Sequence, residues 1–596
     1  MTETIIHLLE RNAVSLASKP AYEDKVSGTW QQTDWAEFNR LTRQAAGAML
    51  SLGLGQGDVV TILGNNRPEW TISALAIMRV GGIAAGVYTT NAPDEVAYIV
   101  NHAESKLIVL EDESQLEKVE KQRNNLPSLQ HIVVMGGAGQ AIGDRATGWD
   151  DFLALGDAVE EGELDSKLDE LRLDQVADFI YTSGTTGPPK AVMLTHENLV
   201  WTADALAKAA DLTSDEAMVS YLPLSHIAEQ LASIHIAITK GYTVTYCHDG
   251  LQVTDFISHV RPTAFFGVPR VWERFYSGVS AQLNEATGAK AAIVSWARGV
   301  GRKVTAERVQ GREPSGLLAV QSHLADRLVF AKLREALGLN RTRRFISGAA
   351  PISAEILDFF ASLGIQILEI YGQSEGSGPT TTNTADATRF GTVGQRIDGI
   401  EVKISDDGEI LFKGKNVFAG YFKDEAATAE TLVDGWLHSG DLGQFDDDGY
   451  LTITGRSKDI IITSGGKNVA PKNLEGALTA LELVGQAVCV GEQQRYLVAL
   501  LTLQPEAADR FATENGIDRA DLATHPALRN RLEQDITQDV NSQFARVEHI
   551  RNFAIIDHEF SVETGELTPT FKIKRAMVNE KYAESIQQVY EAGQVI

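Results

Sequence analysis

The sequence predicts an α/β protein with a large N-terminal domain of parallel or mixed sheets covered by helices, a β-rich subdomain, and a small α+β C-terminal domain. Strand-like and helix-like segments alternate through the first two thirds of the chain, as in sheets whose strands are connected by helices. Short alternating runs separated by Asp-Gly turns follow from about residue 391, and a second α/β pattern begins after Arg456. We therefore place a large domain at residues 1–456, its β-rich subdomain at about 391–456, and a small domain at 457–596.

Local patterns predict the individual elements. The β-branched run from Asp58 to Leu63 predicts a strand, and Pro68 suits the first position of the following helix. Ser353 is of a type common directly before a helix, and the Asp-Gly pairs at 407–408, 434–435 and 448–449 predict turns. The same patterns predict further strands at 177–181, 191–194, 344–346 and 365–370 and helices at 196–209 and 354–362.

Composition and charge exclude several classes of protein. The 596 residues, 43% of them hydrophobic, can bury large cores, and the two cysteines, Cys247 and Cys489, predict neither a disulfide framework nor a cysteine zinc site. The formal net charge of −27 disfavours nucleic acid, because a phosphate backbone would be repelled. The N-terminus lacks the pattern of a signal peptide, and Arg79 and three glycines interrupt the most apolar stretch, residues 73–88. We therefore expect a cytoplasmic protein.

The segment YTSGTTGPPK, from Tyr181 to Lys190, has the composition of a phosphate-binding loop. Glycines let backbone N–H groups approach an anion, hydroxyl side chains add donors, and Lys190 adds positive charge. It is not a Walker A loop, because two prolines follow Gly187. The predicted anion contacts in this segment are Thr182, Ser183, Gly184, Thr185, Thr186, Gly187 and Lys190.

With this loop the chain resembles the adenylate-forming superfamily, which contains acyl-CoA synthetases, luciferases and peptide-synthetase adenylation domains. Further motifs similar to those of the family follow in the family's order, and the resemblance covers roughly residues 30–580. It implies ATP, Mg²⁺ and CoA as ligands, and a C-terminal domain that is mobile. The motifs are SGAAP at 347–351, YGQSEGS at 371–377, GEILFKGKNVFAGY at 408–421, HSGDLG at 438–443, GRSKDIIITSGGKNVAP at 455–471 and LTPTFKIKR at 567–575.

The resemblance also implies roles for individual residues around the nucleotide. Magnesium would be held by Thr182 and Glu375, since a carboxylate among phosphates requires a cation between them. Asp441 would accept hydrogen bonds from the ribose hydroxyls, with Arg456 assisting. The residues expected beside adenine and the α-phosphate are Gly348, Ala349, Tyr371, Gly372, Gln373 and Ser374, where Ser374 replaces the family's usual Thr.

The implied reaction has two steps: a carboxylate attacks the α-phosphate of ATP to give acyl-AMP and pyrophosphate, and the thiol of CoA then displaces AMP. A carboxylate is already a nucleophile, so the first step requires charge neutralisation and placement rather than a base. By resemblance, Lys190, Glu375 and the distant Lys572 provide this chemistry. Phe571 stands where the family usually has Gly, which matches the long-chain branch, and Lys574 is the rival to Lys572.

Lys572 has to leave the site before the second step. The resemblance implies that the small domain rotates about Lys458, with Asp459 as the alternative pivot, so that a few hinge residues absorb the change in dihedral angles. Gly465 and Gly466 would then line the path of CoA, because residues without a Cβ allow close passage.

Two segments bear on the identity of the acid. FFGVPRVWERF, at 265–275, resembles the long-chain fatty acyl-CoA synthetases, in which the tryptophan corresponding to Trp272 gates an acyl tunnel. His226 would close the acyl pocket or orient the carboxylate, and its neighbourhood lacks the aspartate that amino-acid-activating relatives use. We expect a long helical segment at 281–339. Within it, the basic run at 301–312 is expected to be a solvated loop, with anionic lipid headgroups or CoA phosphates as alternative contacts.

The sequence therefore predicts a long-chain fatty acid–CoA ligase with fatty acid, ATP and CoA as partners. A fatty acyl-AMP ligase and a medium-chain or aryl acyl-CoA synthetase are the alternatives. A luciferase-like oxygenase and a nucleotide sensor stay open, whereas a peptide-synthetase module would require a carrier domain after Lys572. A peripheral contact at the inner face of the membrane and a homodimer are compatible with the sequence.

Overall fold

The computed structural model describes residues 3–136, 145–182, 188–562, 564–568 and 572–596, without the side chains of Leu251 and Asn284. Its largest sheet has eight strands, and each neighbouring pair is parallel except the two formed by Lys190–Thr195. The predicted α/β class is confirmed by this sheet. The spatial order is Gly420–Tyr421, Lys190–Thr195, Val176–Thr182, Ile83–Val87, Val59–Leu63, Leu107–Leu110, His131–Val134 and Thr147–Gly148.

Helices cover this sheet because its strands are apolar on both faces: every residue of Val59–Leu63 and Leu107–Leu110 is buried. Trp35, Trp70 and Phe152 are the large aromatic residues of the core between sheet and helices. The helices of this region are Ile5–Ser15, Trp35–Ser51, Pro68–Arg79, Pro93–His102, Glu113–Lys121, Trp149–Gly156, Glu161–Asp169 and His196–Ala209.

Two further sheets complete the α/β part of the chain. A four-stranded sheet has the order Ala217–Ser220, Thr243–Tyr246, Pro20–Val26, Thr29–Asp34, and a five-stranded sheet the order Ala264–Gly267, Arg344–Ser347, Ile367–Gln373, Gly378–Thr382, Gln395–Arg396. The predicted cap at Ser353 is confirmed, since its side chain accepts a hydrogen bond from the Ile356 N–H. The helices are Ile227–Gln230, Ala237–Lys240, Val253–Val260, Pro269–Asn284, Gly288–Val309, Gly316–Ala325, Ala331–Ala336 and Ala354–Ser362.

The segment predicted as one long helical stretch at 281–339 is divided into several helices. Gly288 and Gly311 adopt positive φ angles of 58° and 68° at or beside the breaks, where an L-residue with a side chain would be strained. The prediction of a solvated loop at 301–312 is wrong for most of that range, because Gly288–Val309 is a continuous helix. Its buried Val300 and Val304 pack into a core cluster, which fixes the helical conformation.

The β-rich subdomain and the small domain follow. Gly408, Gly435 and Gly449 have φ angles of 88°, 77° and 80°, which confirms the three Asp-Gly turns. The sheet of the subdomain contains Glu401–Ile404, Glu409–Lys413, Trp436–Phe445, Leu432–Val433 and Leu451–Arg456, beside the helix Glu425–Thr431. The small domain contains the paired strands Ile461–Ile462 and Asn468–Val469, the three-stranded sheet Val484–Val490, Leu497–Leu503, Ile550–Ile556, and the helices Pro471–Thr479, Pro505–Asn515, Pro526–Asp535, Arg575–Lys581 and Ala583–Glu591.

The small domain has a core of its own around residues such as Leu501 and Phe553. Both cysteines, Cys247 and Cys489, are buried free thiols. Of the helices in the described ranges, none combines the length and the hydropathy needed to cross a membrane.

Candidate active site

The predicted adenine and ribose residues meet where the strand Ile367–Gln373 ends. Tyr371, which is 7% exposed, donates a hydrogen bond from its hydroxyl to Asp441 Oδ2 at 2.9 Å. Asp441 and Arg456 are register partners on neighbouring antiparallel strands, and Arg456 Nε lies 3.5 Å from Asp441 Oδ1. The strand pairing of Asp441 with Arg456 and the hydrogen bond from Tyr371 thus bring three residues from distant motifs into one group, at the strand end where α/β proteins bind ligands.

Two glycines next to Tyr371 lie so close to neighbouring atoms that a side chain would not fit there. A Cβ on Gly348 would lie 2.7 Å from Ile370 Cγ1, and one on Gly372 would overlap the Gly378 carbonyl oxygen. Ala349 has a left-handed φ of 68°. The predicted residues Gln373 and Ser374 follow, the second opening the 3₁₀ turn Ser374–Gly376. The close contacts leave no room for larger side chains at Gly348 and Gly372, and a nucleotide contact for these residues stays a prediction.

A second group surrounds the predicted magnesium carboxylate. Tyr421 donates a hydrogen bond to Glu375 Oε1 at 2.8 Å, and its ring centroid lies 5.0 Å from Lys190 Nζ. Lys190 in turn pairs with Asp424 at 3.1 Å. Burial raises the pKa of the Tyr421 hydroxyl, and the Glu375 charge raises it further, so this phenol stays a donor.

Tyr421 and Asp424 were missed by sequence reasoning. Tyr421 is the last residue of the motif at 408–421, but nothing in that motif shows which strand it joins. In the structure Tyr421 pairs with Val192, two residues after Lys190, which explains its contact with the lysine. The one indication in the sequence was that the motif at 408–421 ends with this tyrosine.

The predicted phosphate loop is described at its two ends. Thr182 and Lys190 are register partners in the antiparallel pair that closes the loop. The predicted residues Ser183, Gly184, Thr185, Thr186 and Gly187 lie outside the described residues. Because Lys190 also contacts the Glu375 group through Tyr421, the base of the loop is next to the predicted metal carboxylate.

Lys572 belongs to a hairpin of the small domain. Leu567 pairs with Ile573, the Lys572 N–H donates to Thr568 Oγ1 at 3.0 Å, and the Thr568 N–H donates to the Lys572 carbonyl at 2.8 Å. The Lys574 N–H donates to the Glu566 carbonyl at 2.7 Å. These bonds fix the backbone of Lys572 relative to the small domain.

Charged residues of the large domain influence the pKa of Lys572. The surrounding protein lowers the pKa of Lys572, although its side chain still reaches solvent. The charge of Arg456 lowers this pKa further, whereas Asp441 and Glu375 raise it. All three belong to the large domain, so Lys572 faces the predicted nucleotide site in this arrangement.

Glu566 fixes the base of the same hairpin. Its fully buried carboxylate accepts hydrogen bonds from Lys581 Nζ at 2.6 Å, from the Tyr582 hydroxyl at 2.7 Å and from the Thr564 hydroxyl. Burial opposes its ionisation, but these donors outweigh burial and hold its pKa well below the usual 4.5. Glu566 was also missed, because its partners lie up to sixteen residues further along the chain.

The two residues predicted for the acyl group occupy different environments. Burial lowers the pKa of His226 to about 3, with the charge of Lys572 adding to the effect, so His226 is neutral at pH 7. Trp272 is fully buried against Phe265, Phe345 and Phe360, and its Nε1 donates to the Ile346 carbonyl at 3.3 Å. A gating role for Trp272 stays a prediction.

The predicted hinge and CoA residues lie after the last strand of the β-rich subdomain. Lys458 and Asp459 form the 3₁₀ turn Ser457–Asp459, and Lys458 is exposed. Among the residues that the structure describes, a Cβ on Gly466 would meet no atom within 4 Å, and one on Gly465 only Thr463 Oγ1 at 3.9 Å. The backbone here borders open space, and the roles of these residues stay predictions.

Comparison with known proteins identifies the class. The AMP-binding enzyme family matches residues 9–422, and the AMP-binding enzyme C-terminal domain matches residues 458–594. The chain therefore belongs to the family of AMP-binding, adenylate-forming enzymes.

Individual relatives narrow this class. The chain is 35% identical to a long-chain-fatty-acid–CoA ligase, ACSBG2, of Xenopus laevis, over 99% of this chain and 84% of the relative. It is 37% identical to the long-chain-fatty-acid–CoA ligase FadD15 of Mycobacterium tuberculosis, over 96% and 94%. The adenylation domain of a carboxylic acid reductase from Segniliparus rugosus, solved with AMP and a carboxylic acid, has the same fold, with a TM-score of 0.77, 19% identity, and coverage of 99% and 94%.

Proposed function

We propose that this protein is a long-chain fatty acid–CoA ligase, which converts fatty acid, ATP and CoA into acyl-CoA, AMP and pyrophosphate through an acyl-AMP intermediate. The observation that carries the proposal is the meeting of separate motifs in two adjoining groups: Tyr371 donates to Asp441, which pairs with Arg456, and Tyr421 joins Glu375 to Lys190. The long-chain-fatty-acid–CoA ligases among its relatives support the substrate class.

In the first step, the nucleotide would lie against Tyr371 with its ribose hydroxyls donating to Asp441. Lys190 and Lys572 would neutralise the charge that develops on the α-phosphate, which is the main requirement when the nucleophile is already ionised.

Magnesium fits the Glu375 group. Within the described ranges, no cationic side chain forms an ion pair with this half-buried carboxylate, and Tyr421 contributes only a hydroxyl. Such a carboxylate suits a magnesium ion that takes one or two protein oxygens and completes its shell with phosphate and water. Glu375 and Thr182 would hold the ion, which would supply charge neutralisation for the triphosphate.

In the second step, Lys572 would move away with the small domain. We propose the domain boundaries 1–456 and 457–596, the subdomain at about 391–456, and a pivot at Lys458 or Asp459. Rotation about one turn would remove the whole hairpin and admit CoA past Gly465 and Gly466. Both steps would thus use one nucleotide site.

The experiment that tests the proposal is a panel of acids from acetate to eicosanoate, assayed for CoA-dependent AMP formation. A rise in kcat/KM with chain length is expected, since each buried methylene contributes about 0.8 kcal/mol. Trp272→Ala would alter that chain-length profile if the tryptophan gates the acyl pocket. AMP formation without CoA, and no thioester, would favour an acyl-AMP ligase; a maximum at medium-chain or aryl acids would favour the other alternative.

A further inference from the structure

Glu229 is a buried carboxyl group that the proposed mechanism does not use. It lies on the helix Ile227–Gln230, which begins directly after His226, and it is 3% exposed. Its Oε2 accepts a hydrogen bond from the Leu222 N–H at 3.1 Å, and its Oε1 accepts one from the Ser233 hydroxyl. Burial raises the pKa of Glu229 to about 7, although these donors oppose the effect. Because a carboxyl group is costly to bury, its acceptor atoms call for an explanation.

Leu222 lies in the loop between the strand Ala217–Ser220 and this helix, and we call residues 221–226 the His226 loop. Asn66 donates from its side-chain amide to the Leu222 carbonyl at 2.7 Å, so Glu229 and Asn66 together hold the N–H and the carbonyl of Leu222. Asn66 is itself 3% exposed. Two buried side chains, far apart in sequence, therefore fix the backbone near the start of the loop.

The end of the His226 loop fixes the ring of His226. The His226 N–H donates to the Pro223 carbonyl at 2.9 Å, and His226 Nδ1 accepts a hydrogen bond from the Ala228 N–H at 3.1 Å. The loop is also closely packed, since a Cβ on Gly86 would lie 2.7 Å from Ser225 Cα. The orientation of the imidazole is therefore set by contacts within the loop and by the first turn of the helix.

These contacts decide which nitrogen of His226 carries the proton. Burial lowers the pKa of His226 to about 3, so the ring is neutral at pH 7. A neutral imidazole whose Nδ1 accepts a hydrogen bond carries its proton on Nε2. Within the described ranges, no group accepts a hydrogen bond from this Nε2, and the charge of Lys572 is near enough to lower the pKa of the ring. His226 therefore presents a fixed N–H donor in the region of the lysine proposed for the first step.

We propose that Glu229 is a positioning residue, which anchors the His226 loop so that His226 Nε2 donates a hydrogen bond to the carboxylate of the acid. A carboxylate oxygen is a strong acceptor, and a donor that is fixed beforehand loses little entropy when the acid binds. The same hydrogen bond would orient the carboxylate for its attack on the α-phosphate. Of the two roles predicted for His226, this inference favours orientation of the carboxylate over closure of the acyl pocket. The identity of the acceptor rests on the proposed function, whereas the anchored donor does not.

The test compares Glu229→Met with Glu229→Gln in acid-dependent pyrophosphate release. Both replacements are close to glutamate in size, but glutamine can accept the hydrogen bond from Leu222, whereas the methionine sulfur is only a weak acceptor. Glu229→Met should raise KM for the acid about tenfold and leave KM for ATP within about twofold, because the donor to the carboxylate is no longer held in place. Glu229→Gln should restore the wild-type KM for the acid. General destabilisation would not separate the two substrates in this way.

Asn66→Leu tests the same loop from its second anchor. It removes the donor to the Leu222 carbonyl and should also raise KM for the acid. The matched control is Tyr242→Phe, which removes a buried hydrogen bond to the Ala232 carbonyl in the next helical turn and should leave both KM values unchanged. An unchanged KM for the acid in Glu229→Met, or in Asn66→Leu where Glu229→Met does not fold, would overturn the proposal. An equal rise in Tyr242→Phe would overturn it as well.

Nitrogen NMR of the full chain with isotopically labelled histidine tests the donor without any activity. The His226 resonances, assigned by their loss in His226→Gln, should show a protonated Nε2 and an unprotonated Nδ1 in the wild type and in Glu229→Gln. Glu229→Met should give a mixture of the two tautomers. A wild-type Nδ1–H tautomer would overturn the proposal. Absence of ligase activity with the Nε2–H tautomer intact would instead contradict the proposed function, so the two failures are distinguishable.

Discussion

The side chains of the nucleotide site are hydrogen-bonded within the large domain, whereas the Lys572 hairpin is hydrogen-bonded within the small domain. Tyr371 is tied to Asp441, and Tyr421 to Glu375. The hairpin is tied to its own domain by Thr568 and Glu566, and the pKa of Lys572 responds to charged residues of the proposed nucleotide site.

This difference separates two requirements of a two-step reaction. A nucleotide that stays bound through both steps needs a preorganised site, and a cation needed in one step has to be removable. Because backbone hydrogen bonds join Lys572 to Thr568 and Lys574 to Glu566, Lys572 would arrive and leave with the small domain.

The largest expected effect is that of Lys572→Ala. Formation of acyl-AMP and pyrophosphate should fall about 100- to 1,000-fold, because a charge directed at the developing transition state is removed. Thioester formation from supplied acyl-AMP should persist. Both rates can be measured separately by pyrophosphate release and by CoA thiol consumption.

Lys574→Ala is the matched control, two residues away on the same hairpin, and should retain both half-reactions. If Lys574→Ala abolishes pyrophosphate release and Lys572→Ala does not, the roles of the two lysines are reversed. Equal loss of both half-reactions in Lys572→Ala would contradict a role confined to the first step.

Glu566→Gln tests whether the hairpin has to be rigid. Loss of the charge that Lys581 and Tyr582 bind should destabilise the hairpin by about 1.5 to 3 kcal/mol. Hydrogen exchange of the amides of Lys572 and Lys574 would report this, because both N–H groups bond inside the hairpin. Pyrophosphate release should fall more than thioester formation, a split that general destabilisation would not produce.

The effect of Glu566→Gln should depend on pH in one direction. The pKa of Glu566 is lower in the folded protein than its usual 4.5, so its stabilising contribution is complete above that value and is lost as pH falls towards the folded pKa. The difference in exchange between wild type and variant should therefore shrink below a pH of about 4.5. The exposed Glu580→Gln, on the next helix, should show no such difference.

Tyr421→Phe tests the hydrogen bond to Glu375 within the large domain. It removes the hydroxyl that donates to Glu375 and keeps the ring next to Lys190. Loss of one hydrogen bond should cost about 1 kcal/mol, roughly fivefold in kcat/KM for pyrophosphate release. The magnesium concentration giving half-maximal rate should change, and an unchanged magnesium dependence would separate Tyr421 from the metal carboxylate. Tyr450→Phe, in the same subdomain, is the control.

The smallest effect is expected from Glu559→Gln. Glu559 of the small domain pairs with Arg270 of the large one at 3.3 Å, and both side chains are more than 40% exposed. Such a pair contributes less than about 1 kcal/mol, so its loss should favour the second half-reaction by no more than about fivefold. The change should vanish at high salt. Glu273→Gln breaks the contact of Arg270 within its own helix and should have no effect on this ratio.

The sequence alone determined many of the helices and turns of this protein and the residues of its short motifs. The periodicity of His196–Ala209 and Ala354–Ser362 predicted both helices with the bounds observed, because apolar spacing and a capping serine are local properties. The Asp-Gly turns were predicted for the same reason. Tyr371, Asp441 and Glu375 could be named because their motifs are short and contiguous.

Only the tertiary structure decided which residues meet. The hydrogen bonds of Tyr421 to Glu375 and of Glu566 to Tyr582 depend on strand register and helix docking, which link positions far apart in sequence. The tertiary structure also decided that Leu317 is exposed, because an apolar residue on a helix can face either the core or the solvent. Whether Leu317 is buried is decided by the neighbour that packs there, and local spacing carries no information about that neighbour.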